Sequence, residues 1–419
     1  MTGRRIAVVG AGVAGLTAAH VLQQHADVTL FEAADRLGGH ADTHDVPTSD
    51  GRVLSIDTGF IVHNKQTYPT LLRLFAELDV PTQESDMSMS ISCAGCGLEY
   101  AGGRGLSGLL PSLRAVSKPR YLRMLTEVKR FHRQAKELLA GDDDALTLRE
   151  FLAAGGFSDY FVSHFMTPVV AAVWSTAPSQ AGDYPARYLF TFLQNHGMLT
   201  VTGAPTWYTV VGGSARYVEK VAKGLTAVQT STPIRSVRRV DGGVELRDED
   251  DVVTLFDGVV IATHPHQALR MLAEPTSAER ELLGAIAYTR NPTLLHTDTT
   301  LLPSAPRAQA SWNYAMPSCT AVPSSVQLSY NMNRLQRLDA DATYVVTLNG
   351  EAQVDQHSIL ARMEYEHPVY TTDSVAARAR LAELNDGVIA FAGAYHGWGF
   401  HEDGARSGVD AAASLGVDW

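Results

Sequence analysis

Three cysteines in a chain of 419 residues cannot hold a disulfide framework together, and their scarcity fits a reducing compartment. Positive charge is also short. The 34 Lys and Arg stand against 45 Asp and Glu, and a net charge of −11 excludes the basic face that general nucleic-acid binding requires. No stretch of about 18 apolar residues occurs, so no segment is expected to span a bilayer. Arg4 and Arg5 ahead of an apolar run imitate a secretion signal, but the run breaks at GAGVAG and no cleavage-like end follows. That segment reads as folded structure. What remains is ordinary globular composition in a chain long enough for two domains, the profile of a cytoplasmic enzyme.

The N-terminal stretch RRIAVVGAGVAGLTAAHVLQQHADVTLFEA reads as strand, glycine turn, helix and second strand. Ile6 to Val9 form the continuous apolar run of a parallel strand buried on both faces. Gly10, Gly12 and Gly15, with Ala14 among them, make a G-x-G-x-x-G turn. The first permits the bend, the second lets a phosphate approach the backbone, and the third packs helix on strand. Glu32 ends the second strand, where an acid would hydrogen-bond a ribose hydroxyl. Strand, helix, second strand and terminal acid together predict a dinucleotide site.

The continuation EAADRLGGH and the later SIDTGF resemble the flavin-containing amine oxidase superfamily, which carries E-x-x-x-R-x-G-G-R directly after the ribose acid. Arg36, Gly38 and Gly39 match, and His40 stands where the last Arg falls; Asp57, Thr58 and Gly59 follow in the second element. An imidazole lacks the fixed charge and fork of Arg, so one phosphate contact is expected to be weaker. The resemblance implies FAD, with Ile234 near the adenine, Thr263 flanking the dinucleotide and Gly393 near the pyrophosphate. It also implies that GFHEDGARSG (399–408) opens a helix at about Gly404, so that Asp403, Gly404 and Ala405 face the isoalloxazine. Free N–H groups and the positive dipole end would there stabilise negative charge on reduced flavin. No Ser-Gly-Gly-Cys context precedes that helix, so the FAD is expected to be non-covalent.

Two features depart from the amine oxidase pattern. His401 occupies a customary aromatic position, beside Trp398 and Phe400, and YTRNPTLLHTDTTLLP contains no Lys where those enzymes carry one. His401 and Trp398 are therefore the candidate catalytic residues, with His401 placed to act as acid or base near its reference pKa of about 6.5. Longer blocks, among them PTWYTVVGGSARYVEKV and GAYHGWGFHEDGARSG, resemble a branch of NAD/FAD-binding proteins encoded beside cyclopropane-fatty-acyl-phospholipid synthase-like methyltransferases. That branch implies a lipid acyl chain as substrate and a functional link to a fatty-acid methyltransferase.

Residues 114–136 hold eight Lys and Arg and one Glu, and Tyr121, Met124, Leu125, Val128, Phe131 and Ala135 recur at helical spacing. Such a helix either packs its apolar stripe on the core or rests on an anionic bilayer at the inner membrane face. Cys93-Ala94-Gly95-Cys96 reads as a hairpin turn, since a zinc site would need a second pair that Cys319 alone cannot supply. His264 and His266 lack a third ligand in the sequence, so no metal is expected. Ser214 is expected to cap a helix after Gly212-Gly213. Trp174, Asn195, His196, Trp207, Trp312, Asn313, Tyr314 and Asn331 are candidate pocket wall.

The fold expected is α/β. A discontinuous Rossmann-like FAD-binding domain (1–65, 212–285 and 375–419) accompanies a substrate domain of mixed sheet and helices (66–211 and 286–374). The function expected is FAD-dependent oxidation, desaturation or oxygenation of a hydrophobic substrate. Oxidation of a small amine or amino acid, and a structural flavin without turnover, are the alternatives. An apolar tunnel would favour the lipid, a short aromatic cage with a carboxylate-binding Arg the amine, and a plugged flavin face the third.

Overall fold

The computed structural model describes residues 3–142, 145–200 and 204–419, and for 113 and 114 the backbone alone. Arg114, first cation of the basic stretch, thus lies outside the described side chains.

Five short apolar strands from three separated stretches of the chain form one parallel sheet. Their order is Ala227–Gln229, Asp27–Phe31, Arg5–Val9, Gly258–Ile261 and Ile389–Phe391. Ile6, Ala7, Val8, Val28, Leu30, Val259, Val260 and Ile261 are wholly buried, as strands covered on both faces require. One face carries the Val13–Leu22 helix and the C-terminal helix His401–Ser414. These two touch backbone to backbone: a Cβ on Gly408 would strike the Ala14 carbonyl oxygen. The other face is covered by an antiparallel sheet (Ile234–Val240, Gly243–Asp248, Val253–Phe256), whose Val237, Val244 and Leu246 join its core.

The second half is built on a seven-stranded sheet. Its order is Ile359–Pro368, Tyr288–His296, Val345–Leu348, Leu328–Asn331, Trp312–Met316, Met89–Cys93 and Leu98–Gly102. Only Trp312–Met316 and Met89–Cys93 run parallel within it. Against this sheet packs a helical lobe with Phe131, Phe161 and Phe190 at its centre. The core of the dinucleotide half extends past the boundary expected at residue 65. The Pro69–Glu77 helix buries Leu71, Leu74 and Phe75 in it, and buried Glu402 accepts the N–H groups of Thr70 and Leu71, both at 3.0 Å.

Two local expectations are corrected. The C-terminal helix begins at His401, a turn earlier than Gly404, because Asp403 Oδ2 accepts the Phe400 N–H at 3.1 Å and Gly404 N–H already bonds Phe400 O. Ser214 precedes the Ala215–Lys223 helix but does not cap it: its hydroxyl donates to Asp57 at 2.8 Å.

Candidate active site

One cavity of about 1800 Å³ runs from the glycine turn into the second half of the molecule. Ligand pockets usually measure about 300–1000 Å³, so this one has room for a dinucleotide and a substrate together.

At the dinucleotide end the three glycines divide the work as their spacing predicts. Gly10 has φ of +102°, and a Cβ there would press on the Ala262 carbonyl. Gly15 lies so close to the Gly10 carbonyl oxygen that no side chain fits between helix and strand. At Gly12 nothing lies within 4 Å of where a Cβ would stand, so the empty volume is that of the cavity. Glu32 accepts the Ala11 N–H at 2.7 Å and the Ala34 N–H at 2.9 Å. It thereby fixes the turn while keeping lone pairs for a ribose hydroxyl.

Gly10, Gly12, Ala14, Glu32, Gly39, His40, Gly59, Ile234, Thr263 and Gly393 all line this cavity, as does His401. The remaining cofactor candidates are not part of the lining. Arg36 pairs with Asp42 at 3.0 Å and donates to Gly39 O, holding the second glycine turn, in which Gly38 N–H bonds Ala11 O. Thr58 bonds Tyr365 OH at 2.7 Å. Asp57 accepts from Thr43, Ser214 N and Ser214 Oγ, and burial lifts its pKa to about 6. Asp403, pushed up to about 6 by burial, caps its helix, while Gly404 and Ala405 sit in the second turn against Val13. The helix end at the cavity is therefore Phe400–His401, whose free N–H groups are those of His401, Glu402 and Asp403.

The two catalytic candidates separate. Trp398 lies outside the cavity lining, between Tyr188 and the Arg378 guanidinium, with its carbonyl accepting from Trp174 Nε1 at 3.0 Å. Its neighbours Trp174 and Phe400 take the wall position instead. His401 stacks on Phe60 at 3.7 Å and is hydrogen-bonded to the Tyr217 hydroxyl at 3.0 Å. Burial, helped by His63, lowers its pKa to about 3. The expectation that His401 titrates near neutrality is thus corrected: it is a neutral imidazole.

His40 stands among imidazoles, with His367 and His264 at ring separations of 5.4 and 6.5 Å, and burial with those neighbours holds its pKa well below the ordinary value. His264 and His266, expected to have no third partner, share Glu366, which bonds His264 Nδ1 at 2.8 Å.

The far arm of the cavity is mainly apolar, with Thr126, Lys129 and His132 also on its lining. Met124, Leu125, Val128 and Phe131 of the Pro119–Ala140 helix line it together with Phe165, Met166, Val169, Ala172 and Val173 of the helical stretch 162–174. The apolar stripe that could have lain on a bilayer is therefore cavity wall at four positions and core at Tyr121 and Ala135. Arg123 and Arg133 remain about two thirds exposed on the outer face. Among the proposed wall residues Trp174, His196, Trp207 and Trp312 line the cavity. Asn195, Asn313, Tyr314 and Asn331 do not, and Tyr330 does. The arm's lining by residues 124–131 was written in their helical spacing; that of 165–173 carried no separate signal.

These residues fit a flavin dinucleotide on the structure's own terms. The glycine cradle is open, and two lining residues, Tyr395 and Trp312, hold a buried hydroxyl and a buried indole N–H with no protein partner. A cavity opening on a Rossmann-like glycine turn and continuing along the seven-stranded sheet is the setting of a flavin-binding α/β protein.

The family description for flavin-containing amine oxidoreductases matches residues 13–295, about two thirds of the chain. The chain therefore belongs to that family of flavin-dependent oxidoreductases. It is 39% identical over 79 residues to the FAD-dependent oxidoreductase dbaF of Emericella nidulans, a match spanning 19% of this chain and 16% of that protein. In fold it is similar to a redesigned double mutant of putrescine oxidase, at 16% identity and a TM-score of 0.71 over 98% of both chains. It is similar also to the fatty acid isomerase of P. acnes that produces CLA, at 17% identity and a TM-score of 0.65 over the whole of both.

Proposed function

We propose that the protein is an FAD-dependent oxidoreductase that binds its cofactor non-covalently and acts on a lipid acyl chain. The observation that carries this reading is the apolar arm, lined by Met124, Leu125, Val128, Phe131, Phe165 and Met166, which leads from the flavin cradle toward the surface. An acyl chain has no polar group to satisfy, and the lining side chains just named are all apolar, although Thr126, Lys129 and His132 of the same helix also reach the cavity. Leu106, 78% exposed, and the exposed Lys129 both belong to the cavity lining, so an apolar group and a cation stand where a chain and its anionic head would enter. The similarity in fold to a fatty acid isomerase is in keeping with this reading, and that to putrescine oxidase keeps the amine alternative as its competitor.

The glycine turn, Glu32, Ile234, Thr263 and Gly393 would hold the dinucleotide. When bound, the flavin supplies a hydride acceptor for an activated C–H bond. The chain's own residues do the rest. Phe400, Trp174 and Phe192 close the reacting end against water, and the first-turn N–H groups of the C-terminal helix supply positive potential there. His401, neutral and held by Phe60 and Tyr217, orients rather than carries a proton. A peripheral site on an anionic membrane, and a methyltransferase acting on the same acyl chains, belong to the same proposal.

Titrating the flavin absorbance with saturated acyl chains of increasing length tests the reading. Each buried methylene is worth about 0.8 kcal/mol, so affinity is expected to rise about fourfold per carbon until the arm is full. Affinity independent of chain length, with short diamines binding more tightly, would overturn it.

A further inference from the structure

All three cysteines of the chain, 93, 96 and 319, meet at one point behind the apolar arm, and a buried histidine completes the group. The ligand atoms of Cys93, Cys96, Cys319 and His164 all lie within 4.8 Å of one another. Cys93 Sγ is 3.7 Å from Cys319 Sγ, and Cys96 Sγ is 3.7 Å from His164 Nε2. Four ligands set tetrahedrally about 2.3 Å from a zinc ion stand about 3.8 Å apart, close to the 3.7 Å of these two pairs and within reach of the others by small adjustments. We propose that Cys93, Cys96, Cys319 and His164 form a structural zinc site.

Each element around the cluster is shaped for it. The turn Cys93-Ala94-Gly95-Cys96-Gly97 closes the hairpin of Met89–Cys93 with Leu98–Gly102, and Gly97 at φ +63° donates to Cys93 O at 2.8 Å, folding Cys96 back beside Cys93. Gly95 presses on the loop that carries Cys319; a Cβ there would lie 3.0 Å from Ser318 Cα. His164 sits in a π-helical turn, Val162–Met166, a distortion found mostly at functional sites. Its Nδ1 is hydrogen-bonded to Ser163 Oγ at 2.8 Å, which leaves Nε2 toward the sulfurs, the outer-shell arrangement a metal-binding imidazole uses. Tyr160 OH reaches Cys96 Sγ at 3.6 Å, and Lys118 Nζ bonds Cys96 O at 2.6 Å, a cation beside a site of net charge −1 when three thiolates and one imidazole hold Zn²⁺.

Four protein ligands leave no open position, so the ion is structural rather than catalytic. It would tie three separate pieces, the hairpin, the helical lobe and the loop after Trp312–Met316. Phe165 and Met166, next to the ligand His164, line the apolar arm. The four ligands themselves are not part of the flavin cavity. In binding, the three thiols lose their protons and nothing is oxidised.

The test is elemental analysis and zinc-edge X-ray absorption on the flavin-loaded, full-length protein purified without chelator. About one zinc per chain is expected, with three sulfurs at about 2.3 Å and one nitrogen at about 2.0 Å. Cys319→Ser is expected to lose the zinc, and Ser163→Ala to hold it about 10- to 100-fold more weakly. Because Cys319→Ser could fail to fold, cobalt exchange into the wild type supplies a second readout, tetrahedral thiolate bands beyond the flavin absorption. Protein that carries no zinc and takes up no cobalt, or whose Cys93 and Cys319 are found as a disulfide, overturns the proposal.

Discussion

At the scale of single residues, Gly12 and His401 carry the sharpest consequences. Gly12→Val places a branched side chain in the open cradle, and flavin content of the purified variant is expected to fall to background. Glu32→Ala removes charge-assisted bonds both to the turn and to a ribose, so flavin binding is expected to weaken by about 1.5–3 kcal/mol, roughly a 10- to 150-fold rise in Kd read by fluorescence titration. His401→Phe keeps the stack on Phe60 but leaves the buried Tyr217 hydroxyl without its partner. A loss of stability of about 1–3 kcal/mol is expected in urea unfolding. Since His401 is held near 3, the wild-type rate of flavin reduction should show no inflection at pH 6–7 that this variant removes. The glycine turn was legible because each glycine has a local reason that spacing alone records. His401 was legible as a cavity residue, but its neutrality depends on Phe60, Tyr217 and His63, which come from elsewhere in the chain.

Among the elements, the Pro119–Ala140 helix shows what periodicity can and cannot say. Its stripe correctly marks the buried face, yet a stripe does not record whether core, cavity or bilayer covers it. Here it is core and cavity wall, and Glu127 on that face is buried, accepting from Ser158 Oγ at 2.6 Å. Only the outer cations are left for a membrane. Arg130 is tied to Gly156 O and lies over Phe157, so it is structural. The discriminating variant is therefore Arg120, Arg133 and Lys136 changed together to Gln. It is expected to abolish sedimentation with anionic vesicles at low salt without altering flavin absorbance, and wild-type binding should itself disappear toward 1 M salt, where the Debye length is about 3 Å. The C-terminal helix was placed by its glycines one turn too late. The capping acid Asp403 reaches back to Phe400, and a Phe at that position gives no sequence signal for a helix start.

For the molecule as a whole, burial of titratable groups sets the acid response. His63, His367 and His396 are held at about 4, and His401 at about 3, by desolvation. The unfolded chain, with imidazoles near 6.5, therefore takes up protons first as pH falls, and the stability these four contribute is complete above about 6.5 and lost toward 4. Asp57 and Asp403 at about 6 act in the opposite sense over the same window, since the folded form then binds protons before an unfolded carboxyl near 3.9. Four larger shifts outweigh two smaller ones. The urea midpoint of the apoprotein is expected to fall steadily between pH 6.5 and 4. A flat or rising midpoint would show that these imidazoles are not buried as described.

The α/β fold was readable because its glycine turns and buried strands recur at separated points of one chain. The meeting of Cys93, Cys96, His164 and Cys319 was not, because sequence separation hides which loops converge on one sheet edge. The proposed function needs both parts of the cavity, a flavin at the glycine turn and a substrate held in the apolar arm. Anaerobic mixing of the flavin-loaded protein with acyl lipids and, separately, with a panel of amines tests it most directly. The flavin absorbance is expected to bleach with acyl lipids and to persist with amines. Bleaching by a small amine, with no response to any acyl chain, would contradict it.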